Sequence, residues 1–517
     1  MSLPKFKNYN QNQIDLLPIS LEDLITENDL VRVLNSVVDK LDLRKIYKTY
    51  PGGGASSYDP RMLLKVILYA YCLKIYTGRK IARAIKRDVH FIWLSGQNSP
   101  DFRTINNFRS GKLKKSIEGV FQQVIMMLME EGYIKMENYF CDGSSIEANA
   151  NKNKVIWKKN SIRYKKQAED QCLELFQKID KLNEEEEQQY GEKDLEETGS
   201  FSKKADNQTL EQYIENANNA ISSGLDKSKK KEAVKCIKEL KKQKGKIEKY
   251  DQQIRIAGER SGYSKTDNDS GVIYTKDDIL RPAYNVVVGS EDQFIVNYTV
   301  HQNPNDSACF VPHLDELEKQ GHKNPENICA DSIFGTEENY NELEKKKINS
   351  YLKYPSFRKE NSEDSQKNPF ARENFEYDNE TDTYKCPYGG KLNFKEEREK
   401  KTKSGFNTIS KIYECQNCKD CPFVSNCNRG EGNKTIEVNK RLDGYKAQAR
   451  NNLNSEKGIK IQKKRGYDIE TCFGDIKHNQ NFRRFHLRGL KKVKTEFGLI
   501  SICHNIRKMH IILRKMA

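Results

Sequence analysis

Residues 138–159 read NYFCDGSSIEANANKNKVIWKK. An apolar triplet, Tyr139-Phe140-Cys141, runs into Asp142 and then into small polar residues. An Asp after a strand is ordinarily a turn former. A second stretch repeats the arrangement: in NICAD, residues 327–331, a short apolar run again ends on a carboxylate, Asp331, before small residues. In open α/β sheets ligands gather at the carboxyl ends of strands. Two aspartates placed there on neighbouring strands suit hard cations such as Mg²⁺, which take carboxylate oxygens.

The segments around these two carboxylates carry α/β signals. AYNVVV, GSED and QFIVNYTV, from residue 283 onward, read as a β-hairpin with a glycine-containing turn. SACFVPHLDELEKQ is an amphipathic helix. GTEENYNELEKKK is a helix with Thr336 as its cap and acids in its first turn, and NSYLKY is a further strand. A two-cation site needs a third carboxylate, and Glu470 in KKRGYDIETCFGDIKHNQNFRRFHLRG (463–489) supplies one. Lys477 follows it by seven residues, close to two α-helical turns, so both are expected on one face. Arg483, Arg484 and Arg488 come next. Three rival acids are set aside. Glu147 lies on the opposite strand face from Asp142 by parity, Asp475 points off the Glu470 face, and Asp306 in NPNDSACF reads as a helix N-terminal residue.

The remainder of the 517-residue chain frames this centre. Lys and Arg total 90 against 74 Asp and Glu, a formal charge of +16, which favours a polyanionic partner such as nucleic acid. Charged residues make up 32% and hydrophobic ones 36%, a mix that suits a solvated surface over a real core. The most apolar run, MLLKVILYAYCL at 62–73, is too short to span a bilayer and contains Lys65. The N-terminus lacks an apolar export core. A reducing cytosol is therefore expected, where clustered cysteines point to metal rather than disulfides.

Residues 1–50 are expected to be helical, and YPGGGASSYDP at 50–60 to be a loop. Residues 51–135 should hold short helices resembling a helix-turn-helix DNA reader. Its third helix, DFRTINNFRSGKL, offers Arg103, Asn106, Asn107, Arg109 and Lys112, with Arg103 and Asn106 the candidate base-reading donors. Residues 158–261 are rich in Lys, Glu and Gln, with apolar residues at helical spacing (Cys172, Leu175, Ile179; Leu210, Ile214; Val234, Ile237, Leu240, Ile247). They read as a charged, coiled-coil-like insertion. Residues 361–454 form a Cys-rich insertion. Cys386, Cys415, Cys418, Cys421 and Cys427, in CPYGG and CQNCKDC settings, resemble zinc-ribbon knuckles.

FCDGSSIEANANK, ADSIFGTEENY and ETCFGDIKHNQNFRRFHLRGLKKVKTEFGL together resemble the DDE transposases of bacterial insertion sequences, in the broad IS4-like group, as does the N-terminal DPRMLLKVILYAY…PDFRTINNFR. The resemblance implies an RNase H-like catalytic core, here residues 136–157, 262–360 and 455–517. It implies Asp142, Asp331 and Glu470 as a triad holding two Mg²⁺ (or Mn²⁺) ions. DNA contacts would come from Lys477, Arg465, Arg483, Arg484 and Arg488. The implied activity is binding and cleavage of element ends and joining of the 3′-hydroxyl to target DNA, by a homodimer associated with the bacterial nucleoid. Alternatives sharing much of this sequence logic are a catalytically inactive DNA-binding protein and an RNase H-like nuclease without strand transfer. The group's signature places Tyr and Arg upstream of the Glu. Here Lys463 and Gly466 hold those positions, with Arg465 beside the second.

Overall fold

The computed structural model describes residues 20–50, 56–190, 207–222, 227–274, 279–360, 369–402, 404–419, 421–428, 430 and 432–516. Residues 1–19 of the expected N-terminal helical segment and the glycine run at 51–55 lie outside these. The chain divides into two compact units: residues 1–146, 285–301 and 305–517, and residues 147–284 with 302–304.

The first unit is built on a mixed sheet. Its strands are β1 (Asn138–Glu147, whose last residue belongs to the second unit), β5 (Leu280–Glu291, from residue 285), β6 (Phe294–His301), β7 (Asn327–Ala330) and β8 (Asn349–Leu352), in the order β6-β5-β1-β7-β8. The pairs β1–β7 and β7–β8 are parallel, and β5–β6 is antiparallel. The near-continuous burial of β5, β6 and β7 is what a sheet covered on both faces requires. Glu291, at the end of β5, is 3% exposed. Its carboxylate accepts the backbone N–H groups of Lys135, Met136, Glu137 and Asn138 at 2.6–2.9 Å. This fixes where the chain enters β1.

The helix Leu490–Met516 is buried along most of its length and packs on β6. There Asn505 acts as a strand would: it accepts from the N–H of Ile295 (2.8 Å) and donates to the Ile295 carbonyl (2.9 Å). The N-terminal helices Leu30–Lys40, Pro60–Cys72 and Ile117–Glu130 pack on the same long helix. Arg109, 4% exposed, donates to the Tyr71 hydroxyl at 2.9 Å. Tyr71 donates to the fully buried Glu496 at 3.2 Å. Glu496 also accepts the N–H groups of His486 and Leu487. The N-terminal helices are thus joined to the sheet layer by a buried, charge-compensated network.

A second, five-stranded antiparallel sheet lies in the same unit: β9 (Glu376–Asp378), β10 (Thr383–Lys385), β11 (Lys391–Lys401), β12 (Asn407–Cys415) and β13 (Thr435–Val438). Glu337, 6% exposed, anchors it to the helix Glu337–Lys345, accepting from Thr408 (2.8 Å), Asn439 (2.7 Å) and Arg441 (2.5 Å).

The second unit holds the helices Lys158–Tyr190, Asn207–Ser222 and Lys227–Ala257. Cys172, Ile179, Leu210, Ile237, Leu240 and Ile247 meet in its core, as their spacing predicts. Val234, counted with them in the sequence, is half exposed. The short strands β2 (Val155–Trp157) and β3 (Gly262–Ser264) pair antiparallel and close the base of the insertion. The strand β4 (Gly271–Tyr274) pairs with residues 280–283 of β5.

Candidate active site

Asp142 and Asp331 are register neighbours. In the parallel β1–β7 ladder the last pairs are Phe140 with Cys329 and Cys141 with Ala330. The next residues on the two chains are Asp142 and Asp331. Adjacent strands lie about 4.8 Å apart, so the two carboxylates start side by side. The sequence suggests a strand ending at Asp142. The structure corrects this: β1 continues to Glu147, and what stops at Asp142 is the pairing with β7. Asp331 does end its strand. Its carboxylate accepts the Ser332 N–H at 2.8 Å and opens a 3₁₀ turn, Ser332–Phe334.

Glu470 comes from the helix Glu456–Gly474, which begins at a Ser455 cap whose hydroxyl accepts the Gly458 N–H at 3.0 Å and donates to the Asn452 carbonyl at 2.6 Å. Buried Asp468 pins this helix to the β5–β6 turn, accepting from the Ser290 hydroxyl (2.6 Å) and the Gln293 N–H (3.0 Å). Glu470 itself is exposed. Between it and Asp142 lies the guanidinium of Arg465. One nitrogen is 3.2 Å from Glu470 Oε1 and the other 3.5 Å from Asp142 Oδ1. Arg465 is mostly buried, and its Nε meets no acceptor.

Burial pushes the Asp142 carboxyl up to about 6, against the opposing pull of Arg465 and the Gly143 N–H; Asp306 and Asp331 add to the rise. Asp306 is also raised by burial, eased by a hydrogen bond from Asn285. It holds the N-cap position of the helix Ser307–Lys319, but its side chain makes no capping bond there. Of the other rival acids, Glu147 pairs with Arg281, and Asp475 accepts from His504 (3.0 Å) with Arg507 at 3.4 Å.

The α-helix bearing Glu470 ends at Gly474 and passes into a π-helical turn, Asp475–Asn479, so Glu470 and Lys477 do not share one regular α-helical face. Lys477 instead reaches β1: its ammonium donates to Ser144 Oγ (2.6 Å) and to the Ser145 carbonyl (2.8 Å). Arg483 donates to the Lys477 carbonyl at 3.2 Å. Arg483, Arg484 and Arg488 are exposed on the segment leading to the last helix.

The N-terminal candidates separate. The third helix is short, Phe102–Asn107, and continues as a π-helical turn to Lys112. Arg103 is exposed against the Phe102 ring. Asn106 is half buried, accepts from Arg109 (3.1 Å) and lies against Gly78. Arg109 is wholly internal, and Lys112 lies over the Tyr50 ring.

In the second sheet the cysteines gather. Cys415 and Cys418 belong to one core with Cys386 packed against it. Cys415 lies beside Cys418 and Cys386, and Cys427 beside Cys386, Cys418 and Cys421. The Lys434 N–H points to Cys418 Sγ at 3.4 Å. Burial pushes the Cys415 thiol up to about 11. Among the described residues no three or more His, Cys, Asp or Glu side chains stand in ion-caging geometry as folded.

Two family models match parts of the chain. A model described as "Transposase DDE domain" matches residues 385–510, which include Arg465, Glu470 and Lys477, and a "Transposase domain (DUF772)" model matches residues 19–111. The two matches together indicate an insertion-sequence DDE transposase. No curated protein matches it. In this transposase the two matched regions are the ones joined through Arg109, Tyr71 and Glu496. Asp142 and Asp331 lie between the matched regions, and it is the β1–β7 register that brings them together. No described helix of the transposase is long and apolar enough to cross a membrane.

Proposed function

We propose that this transposase binds the ends of its element, cleaves them, and joins the freed 3′-hydroxyl to target DNA on an RNase H-like core. The observation that carries the reading is the register neighbourhood of Asp142 and Asp331, with Glu470 reached across one guanidinium. The strand order β6-β5-β1-β7-β8, antiparallel at the β5–β6 side and parallel from β1 to β8, supports the fold assignment.

The donor set fits divalent cations. It is all carboxylate oxygen, and a positive group, Arg465, already stands between two of its members. Asp142, Asp331 and Glu470 would hold two Mg²⁺ or Mn²⁺ ions. Such ions, when bound, stabilise the attacking and leaving oxygens of an in-line displacement at phosphorus. The side chains do the rest. Asp142 is fixed by the β1–β7 ladder and Asp331 by its own turn. Lys477 ties the Glu470 segment to β1 beside Asp142 and brings a positive charge to the scissile region. Arg483, Arg484 and Arg488 offer exposed guanidinium groups to the DNA backbone, and Arg103 offers one from the N-terminal helices. A homodimer would pair two ends. The cysteine cluster is proposed as a structural zinc site.

The test is incubation of the purified chain with element ends and Mg²⁺. Asp142→Asn, Asp331→Asn and Glu470→Gln should each lower cleavage by at least a thousandfold and leave end binding within about threefold. Near-normal cleavage by one variant removes that residue from the site. Pre-cut ends separate the alternatives: joining to target DNA marks a transposase, and cutting without joining marks a nuclease.

A further inference from the structure

The helix Gly78–Ala84 and the turn after it carry a one-sided charge pattern. Ile81 and Ile85, 0% and 2% exposed, are four residues apart and form the buried side. Arg79, Lys80, Arg83, Lys86 and Arg87 fill the opposite side, and all five are exposed. Arg79 and Arg83 are again four residues apart, so the cations make a ridge along the helix rather than a ring around it. Between Asp59 and Asp88 the chain carries no acid. Asp88 and Asp101, which come next, cap the following helices: they accept the His90 N–H at 2.9 Å and the Thr104 N–H at 2.7 Å.

An exposed cation on a helix is often half of an ion pair. On the helix Lys227–Ala257, for example, Lys242 and Lys244 have carboxylates at 3.1 and 2.5 Å. None of the five cations of the ridge has an ion pair among the described residues. Closely spaced like charges repel one another, and a polyanion turns that cost into attraction. The ridge is also held in place. Thr77 caps its helix, accepting the Lys80 N–H at 3.4 Å. The Arg79 guanidinium lies 5.0 Å from the centre of the Phe102 ring, and Arg103 lies 5.8 Å from the same ring. Asn106, expected from the sequence to read bases, packs against Gly78 and accepts from Arg109. That amide joins the two helices, and the cations are what face outward.

We propose that the ridge from Arg79 to Arg87 grips duplex DNA by its phosphates, without regard to sequence. This rests on the reading of the chain as a transposase that acts on DNA. Guanidinium and ammonium groups in a row donate to phosphate oxygens, and such contacts fix position but carry no sequence information. The ridge therefore serves element ends and target DNA alike.

The test is fluorescence anisotropy of the full-length chain on two labelled duplexes, an element end and a scrambled sequence of the same length, over a salt series without divalent ions. A triple variant, Arg79→Gln, Arg83→Gln and Lys86→Gln, removes three charges and keeps good helix formers. It should make the slope of log affinity against log salt shallower by about 2 to 3. It should weaken both duplexes by the same factor and leave the thermal midpoint unchanged. A second triple variant, Lys395→Gln, Lys400→Gln and Lys411→Gln, removes the same charge from the second sheet, where each lysine has an acid partner. It should keep the wild-type slope. A wild-type slope in the first variant, or an equal loss in the second, would overturn the ridge and leave DNA binding standing. A loss confined to the element end would make the helix a reader of bases and overturn the sequence-independent grip. Wild-type chain that binds neither duplex would overturn the DNA reading itself, and the proposal with it.

Discussion

Arg465 stands 3.5 Å from Asp142 and so places a guanidinium where the cation chemistry would need an ion; its second nitrogen, 3.2 Å from Glu470, completes the bridge. A mostly buried cation between two carboxylates competes with any metal for them. Arg465→Gln should therefore bind Mn²⁺ more tightly in the absence of DNA, on the order of tenfold, which is about 1.4 kcal/mol. End cleavage should fall if the guanidinium, released by metal, donates to a DNA phosphate. Unchanged Mn²⁺ affinity in the variant would show that the guanidinium does not occupy the place of an ion.

What the sequence revealed of this site follows from chain locality. Asp142 and Asp331 each follow a short apolar run, so a periodicity of two and a polar stop were enough to find them. The helical insertion was legible because Cys172, Leu210, Leu240 and Ile247 keep helical spacing. Arg465 was read as a DNA contact because Asp142, its partner beyond its own helix, sits on a strand that meets that helix only in the folded chain. Asp306 was read as a helix N-terminal residue and holds that place before Ser307–Lys319; its contact with Gly143, far earlier in the chain, has no local sequence signal. The π-helical turn at Asp475–Asn479 has no reliable sequence pattern, and it alone breaks the seven-residue argument for Glu470 and Lys477.

Two buried histidine settings make stability depend on pH from both sides. His504 faces acceptors at both ring nitrogens, Asp475 Oδ2 at 3.0 Å and the Gln293 carbonyl at 2.8 Å, so both nitrogens donate and the ring is an imidazolium. Burial pushes it down, but Cys472 and Asp475 outweigh burial and lift it to about 10. A base raised in the folded state stabilises fully below its ordinary value, about 6.5, and loses that contribution as pH rises through about 10. His313 and His301 act oppositely: burial lowers them to about 3 and about 4, so the unfolded chain takes up protons first and stability drops below about 6.5. Asp142, raised to about 6 by burial, partly offsets the acid side. The thermal midpoint should peak between about pH 6 and 7. His504→Gln should flatten the alkaline limb and leave the acid limb in place. An alkaline limb that survives in this variant would rule out His504 as its source.

For the cysteine cluster, zinc binding requires thiolates, whereas Cys415 is held protonated by burial when no metal is bound. Chain purified without chelator should carry about one zinc by elemental analysis. Chelation should lower the thermal midpoint and expose Cys386, Cys415, Cys418, Cys421 and Cys427 to thiol reagents. Metal-free chain with full end-cleavage activity and an unshifted midpoint would leave the cluster as reduced thiols only.

The Lys477 ammonium donates to Ser144 Oγ at 2.6 Å and to the Ser145 carbonyl at 2.8 Å. It is a tie between the Glu470 segment and β1 and carries a lysine charge to a point two residues beyond Asp142. The two roles can be separated. Ser144→Ala loosens the tie and keeps the charge; it should lower end cleavage by less than about tenfold and leave the salt dependence of end binding unchanged. Lys477→Ala removes both; cleavage should fall on the order of a hundredfold. If the ammonium also meets a DNA phosphate, the slope of log affinity against log salt should become shallower by about one. The Mg²⁺ concentration for half-maximal activity should barely move, because a lysine is no ligand for the ion. An unchanged slope in Lys477→Ala, together with a cleavage loss no larger than that of Ser144→Ala, would reduce Lys477 to the tie alone and leave phosphate contact to Arg483, Arg484 and Arg488.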